Sequence, residues 1–449
     1  MKRILWFFLG LGALMLAFVA VGVLPTAEAS PGDKIDAIGQ IGPYAVGFTS
    51  YVLTDNSRPA PDGYPAGGRP IPVYLWYPAN PEAVAATPRA GYPVDMLLEP
   101  PGLTFSSLEW EAMGYDPAYQ EPLPSAEGPF PVLLVSHGMT PPAWTMTGIA
   151  TRLASHGFVV AVPYHAGDPA WFEWQPVGDH ITLQMWNRPR DLSFVLTDLE
   201  QRNSAAGDLM YGVIDPSRVA ATGWSGGGYA ADVLVCGDDT VWDYSLSFPF
   251  AIYYPPIPDN VPTSPSLPDP RIKAIVTLDG ASYLLRIIEL ARVNVPALGL
   301  GQEWDSMYHP AFANWHSAQA RPHAAYSSHP NYRVDISGTN HHSFGGTCDA
   351  FVLMESMGLT STMDGYRSEL CNRVIPFAEA RAIITRYMLA FLKTQLLGET
   401  GYQKMLTPGW ALTHETLVEF FETEKRNANS IYKEWPDFSS YFMHQPGSK

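Results

Sequence analysis

Positive charge is scarce in this chain: 27 Lys and Arg against 44 Asp and Glu leave a formal net charge of −17, and charged residues make up only 16% of 449 positions. A balance of that sign repels the phosphates of nucleic acid and of anionic lipid, so neither is an expected partner. A neutral or cationic substrate is easier to accept. Internal repeats and low-complexity blocks are also lacking, so nothing points to a repeat architecture. Only three cysteines occur, and none lies in the N-terminal segment to take a lipid.

That segment begins with Lys2-Arg3, continues as an apolar run from Ile4 to Leu24, and ends in Thr26-Ala-Glu-Ala29. Residues 1–29 therefore read as a signal peptide, and the expected location is secreted or extracytoplasmic. The run is long enough to span a bilayer, so an uncleaved N-terminal anchor is the alternative and the one route to membrane contact. Export suits a disulfide between Cys348 and Cys371, with Cys236 a buried thiol; three unpaired core thiols are the competing reading.

Past the leader, Ala45 to Leu53 and Pro70 to Tyr77 read as two antiparallel strands. The stretch from Asn80 to Pro129 is Pro-rich and aperiodic, as a surface insertion would be. Phe130 to Ser136 is an unbroken apolar run, typical of a strand buried on both faces, and it leads into His137-Gly138-Met139. Thr147 to His156 has helical spacing and precedes a buried strand over Gly157 to Val162, forming a βαβ unit.

Asp191 to Leu199 reads as an amphipathic helix, and Ile214 to Arg218 as a turn into a short strand, Val219 to Thr222. From Asp238 to Pro270 the chain is rich in Pro, Tyr, Trp and Phe, which suits a cap beside a binding site, with an ordinary surface excursion as the competing reading. Strands are expected at Ile272 to Leu278, Val295 to Leu300 and Tyr332 to Ile336, then a long helix from Phe377 to Leu397. This alternation predicts a mostly parallel central sheet flanked by helices, whose ligands bind at the carboxyl edge. The expected organisation is one catalytic domain over 30–406, with insertions at 80–129 and 238–270, and a C-terminal extension at 407–449.

The most informative segment is Arg218 to Tyr229, where an apolar strand runs into Gly223-Trp224-Ser225-Gly226-Gly227 and then into a helix of small residues. A serine at the tip of such a turn is held out for attack, and the flanking glycines let strand and helix approach. This is the nucleophile elbow of the α/β-hydrolase fold, with Ser225 at its apex. The turn also aims the amide of Gly226 and the positive end of the new helix at a developing oxyanion.

A serine hydroxyl needs a base, and in this fold the base follows the nucleophile in the chain, on a loop at the same sheet edge. Ser337-Gly-Thr-Asn-His-His342 meets that requirement, with His341 preferred and His342 its competitor. A histidine pair also suggests a metal, but adjacent imidazoles point apart and no third ligand at metal spacing accompanies them; neither metal nor cofactor is expected. Two carboxylates compete to orient the imidazole, Asp279 at one strand end and Asp305 after the next strand. The second oxyanion amide is expected from Met139, just beyond His137-Gly138, while packing is the commoner fate of a histidine such as His137 beside a glycine turn.

Taken in order, Val73-Tyr-Leu-Trp-Tyr-Pro78, Ser136-His-Gly-Met139, Leu153 to Ala161, Arg218 to Gly227, Leu278-Asp-Gly280 and Ser337 to His341 resemble the platelet-activating factor acetylhydrolase group of α/β-hydrolases. More loosely, the chain is similar to dienelactone-hydrolase-like and polyester-hydrolase relatives. The resemblance spans roughly Pro70 to Leu397. It implies Ser225 as nucleophile, Asp279 rather than Asp305 as acid, His341 rather than His342 as base, and Met139 and Gly226 as the oxyanion amides. Departures are Trp224 where the group usually has His, Gly226 where it usually has a larger residue, and the long insertion at 238–270.

The expected activity is thus that of an exported serine carboxylesterase or lipase working through an acyl-enzyme, on a small-molecule, lipid or polymer ester. A polyester hydrolase is the first alternative, since some such enzymes also carry Trp before the serine. A secreted serine peptidase and a non-catalytic binding module are the others.

Overall fold

The computed structural model describes residues 38–98, 103–168, 170–176, 178–239, 264–302, 319–371 and 374–423. Strands run over β1 (Ala45–Pro59), β2 (Gly68–Ala79), β3 (Gly91–Pro93), β4 (Thr104–Ser106), β5 (Ala118–Gln120), β6 (Phe130–Ser136), β7 (Val159–Pro163), β8 (Ile214–Trp224), β9 (Ile272–Leu278), β10 (Ala297–Gln302), β11 (Asn331–Ile336) and β12 (Val418–Phe421). The main sheet has the order β12-β11-β10-β9-β8-β6-β7-β2-β1-β5, and β3 pairs with β4 in a separate ribbon. Its centre, from β7 to β11, is parallel. The pairs β1/β2, β2/β7 and β11/β12 are antiparallel.

The longer helices are α1 (Thr147–Ser155), α2 (Ile181–Ser204), α3 (Gly226–Cys236), α4 (Thr347–Ser356) and α5 (Phe377–Leu397). Their placement follows from the period of two along each strand. Leu133 and Val135 of β6 join Val160, Val276, Leu300 and Val334 on one face, against Leu153 of α1 and Ile384 and Met388 of α5. Val132 and Leu134 join Val159, Ala221 and Ile275 on the other, against Leu192 and Val195 of α2 and Tyr229 and Val233 of α3. Each buried Leu or Val contributes roughly 1.5–3 kcal/mol. The result is a helix–sheet–helix sandwich, an α/β-hydrolase fold whose polar strand ends converge on one rim.

Three expectations change. First, the segment at 80–129 is woven into the core: β5 extends the main sheet beside β1, and Tyr92, Phe105 and Trp110 are fully buried. Trp110 meets Trp144, in the short turn Ala143–Met146 before α1, edge to face at 6.2 Å. Its prolines masked aromatic residues spaced without a period.

Second, α2 begins at Ile181, well before Asp191, and carries Pro189 in its interior. A proline normally marks a boundary because it lacks an amide donor and clashes one turn back. Here Pro189 leaves the carbonyl of Met185 without its helical amide donor, and the guanidinium of Arg190 donates to the next carbonyl, that of Trp186 (2.6 Å).

Third, β8 is longer than Val219 to Thr222. The turn at Asp215 survives as a bulge: the register jumps from Pro131↔Asp215 to Val132↔Val219, with Asp215 accepting from the Ser217 amide (2.9 Å) and from Arg218 (2.6 Å).

Cys348 and Cys371 form a disulfide, and Cys236 is a buried thiol. Residues 1–29, Asp305 and most of the 238–270 insertion lie outside the described residues. The ends of that insertion are joined, Asp238 and Ser266 exchanging backbone hydrogen bonds of 2.8 and 2.9 Å.

Candidate active site

Ser225 adopts φ 56° and ψ −121°, a left-handed conformation that costs a non-glycine residue roughly 1–3 kcal/mol and persists only where its surroundings enforce it. The enforcement is local. Its amide donates to Leu278 at the end of β9 (3.1 Å), and its carbonyl accepts from Gly228 (2.9 Å) and Ala281 (2.8 Å). A Cβ on Gly227 would fall 1.9 Å from the carbonyl oxygen of Ser136, and one on Gly223 would fall 2.3 Å from Gly227, so no larger residue lets α3 leave the strand so sharply. Ser225 is partly exposed while its neighbours from Ala221 to Trp224 and from Gly226 to Tyr229 are buried.

His341 lies in the short turn after β11. Asn340 caps that turn, accepting from the amides of His342 (2.9 Å) and Ser343 (3.1 Å) and donating to the carbonyl of Leu370 (2.7 Å). The imidazole donates from Nδ1 to Oδ2 of Asp279 at 2.6 Å. That bond leaves Nε2 as the basic nitrogen of the neutral ring. Asp279, only 2% exposed, also has a left-handed backbone, φ 40°, and accepts from the side chain of Gln302 (2.9 Å). Of the two carboxylates weighed from the sequence, Asp279 meets the imidazole.

Trp224 joins serine to histidine. Its indole ring packs on His341 with centroids 5.1 Å apart. Added Cβ atoms on Gly138 and Gly345 would come within 2.4 and 2.1 Å of the indole, so two glycines frame it. His342 sets its ring at 85° to that of His341, the centroids 5.5 Å apart, and packs edge-on against the same indole. Burial, and then the neighbouring His341, push its pKa down to about 3, so it stays neutral.

Met139 and Gly226 stand side by side. A Cβ on Gly226 would contact Met139 Cγ at 3.1 Å and Met185 Cε at 3.2 Å, which accounts for the small residue there. Gly226 opens α3, where main-chain amides lack partners within the helix.

Beneath the loop from Ser136 to Met139 lies a charged lattice that the sequence reading missed. His137 donates from Nδ1 to Gly138 O (2.7 Å) and accepts at Nε2 from the His165 amide (3.2 Å). Arg188 donates to His137 O (2.5 Å), to Ser136 Oγ (3.2 Å), to Gly138 O (3.2 Å) and to Asp168. Ser136 in turn meets Nε2 of His165 (2.9 Å), whose Nδ1 meets Asp191 (2.9 Å). Arg69 grips Asp191 through two bonds, of 2.9 and 2.8 Å.

Burial and then Arg188 push His137 well below its ordinary pKa, and in the same order push His165 down to about 4, so both rings are neutral. Against the upward push of burial, Arg69 and Arg58 hold the Asp191 carboxyl well below the usual range. Ser136, His165 and Asp191 thus form a second serine–histidine–aspartate chain. None of the three is more than 1% exposed, so that chain faces no substrate. Its one legible trace was a set of charged and histidine residues, His165, Asp168, Arg188 and Asp191, among apolar neighbours in a charge-poor sequence.

Among solved structures, a ferulic acid esterase from Streptomyces cinnamoneus is similar to this chain, with a TM-score of 0.53 and 22% identity, covering 79% of this chain and 91% of that one. No protein-family model and no curated protein sequence matches. At that level of identity the likeness carries the fold: the chain has the architecture of an α/β-hydrolase.

Proposed function

We propose that this protein hydrolyses carboxylic esters through an acyl-serine intermediate. The observation that carries the reading is the bond between His341 and Asp279, made at the rim that also holds Ser225 in its strained turn. Ser225 Oγ attacks the ester carbonyl while its proton passes to Nε2 of His341. The resulting oxyanion is received by the amides of Met139 and Gly226. Collapse breaks the bond to the leaving alcohol, which takes the proton from His341. Water then repeats the sequence on the acyl-serine, releasing the acid and restoring the hydroxyl.

The ordered motifs described above support a platelet-activating factor acetylhydrolase-like carboxylesterase or lipase. The leader at residues 1–29 and the Cys348–Cys371 disulfide support export. Polyester hydrolysis is the nearest alternative.

The deciding experiment compares the purified protein with Ser225→Ala on soluble p-nitrophenyl esters, an acetylated glycerophospholipid, a hydroxycinnamate ester and a polyester film. Ester turnover and fluorophosphonate labelling should both vanish in the variant. Turnover that survives Ser225→Ala, or a probe that labels elsewhere, overturns the assignment. The preferred member of the panel identifies the ester class.

A further inference from the structure

We infer that Arg188 is a positioning residue for the oxyanion amide, acting through the peptide between Gly138 and Met139. The inference rests on the ester-hydrolase reading above. In a planar trans peptide the C=O and N–H bonds point in opposite directions, so holding one aims the other. The carbonyl oxygen of Gly138 is held twice, by Nδ1–H of His137 (2.7 Å) and by the guanidinium of Arg188 (3.2 Å). With that carbonyl drawn into the lattice beneath the loop, the Met139 N–H is aimed away from the lattice, and the Met139 side chain lies beside Gly226.

The same guanidinium takes the preceding carbonyl, that of His137 (2.5 Å), so two successive peptides are fixed by one rigid cation. The loop needs such restraint. Thr140, immediately after Met139, has φ 80°, a conformation that a non-glycine side chain resists. A positive charge on the carbonyl also polarises the peptide and makes its N–H a stronger donor.

Arg188 is itself braced, fully buried against Asp168 and Ser136. Lysine, a single flexible ammonium without the planar fork, does not fix both carbonyls with the same rigidity.

The test uses Arg188→Lys, and Arg188→Met combined with Asp168→Asn so that no carboxylate is left unpaired. Each variant is compared with the parent by kcat per fluorophosphonate-titrated site, by KM, and by affinity for a trifluoromethyl ketone that serine converts into a tetrahedral oxyanion. Displacing the amide should lower kcat per titrated site roughly 10- to 100-fold with little change in KM. Ketone affinity should weaken by the same factor, and Arg188→Lys should retain more activity than the double variant.

A merely structural role would reduce the number of titratable sites but leave kcat per site and ketone affinity at parental values. That result, with Ser225→Ala inactive, sinks the inference alone. An active Ser225→Ala protein sinks the reading beneath it as well.

Discussion

Trp224 donates its indole N–H to the carbonyl oxygen of His341 at 2.7 Å, so the residue before the elbow serine holds the backbone of the histidine whose ring packs on it. Histidine position is thereby set from the serine side of the rim as well as from Asp279.

Replacing Trp224 by Phe removes that donor and should cost about 1 kcal/mol of stability, with a several-fold loss of kcat as His341 gains freedom. Trp224→Ala also empties the slot framed by Gly138 and Gly345, at a cost of roughly 3–5 kcal/mol. Thermal unfolding and kcat on one p-nitrophenyl ester, measured for both variants, should show a small stability loss with reduced kcat for Trp224→Phe and a much larger stability loss for Trp224→Ala.

Asp279→Asn should preserve the fold while presenting an amide to Nδ1 and favouring the wrong tautomer of His341. The expected loss in kcat is on the order of 10⁴-fold. Gln302→Ala, which removes a donor to the same carboxylate, should cost far less and act mainly by loosening Asp279. A rate series in the order parent, Gln302→Ala, Asp279→Asn is the expected outcome, and near-parental rates for Asp279→Asn would exclude it as the acid.

The disulfide closes a sequence separation of 23 residues around α4, and Asn340 in the histidine turn bonds to Leu370, beside Cys371. Reduction should therefore cost about 2–4 kcal/mol and reach His341 before the rest of the site. Activity with and without dithiothreitol across a temperature ramp checks this. Reduced protein should lose turnover at lower temperature than oxidised protein, and Cys348→Ser should behave as reduced parent does.

Asp232 on α3 is fully buried, and burial pushes its pKa up to about 7, against the opposing hydrogen bonds from Ser282 and Tyr326. The folded state therefore holds this proton more tightly than the unfolded chain. Its contribution is complete below the ordinary carboxylate pKa and declines as pH rises toward 7, by up to about 1.4 kcal/mol per unit. In urea unfolding between pH 4 and pH 7, the stability of the parent relative to Asp232→Asn should fall as pH rises, the opposing contributions of the buried His137, His165 and His342 being common to both proteins.

Legibility in the sequence tracked how local the physical cause is. The elbow could be read because its glycines are demanded by neighbours within a few residues, and the central strands because burial on both faces leaves no polar position. The helix from Phe377 to Leu397 was likewise visible in its own spacing. Pairing between distant segments was not. Arg69 and Asp191 meet across 122 residues, and nothing in either segment names the other. The buried aromatics of the 80–129 segment were hidden for a similar reason, since Tyr92 and Phe105 reach the core from the two strands of a short ribbon and Trp110 from a single helical turn. The choice of Asp279 over Asp305 needed the resemblance as a tiebreak. In the structure it rests on one hydrogen bond, while Asp305 lies outside the described residues.

The antiparallel pairing of β12 on β11 makes the far C-terminal part of the chain a guard for the strand that delivers His341. Stripping away residues from Val418 onward would bare a row of amides and carbonyls along β11, an adhesive border open to any other extended chain. Shortened forms of this protein should therefore clump before they lose their fold, and the histidine turn should be the first part of the rim to feel it.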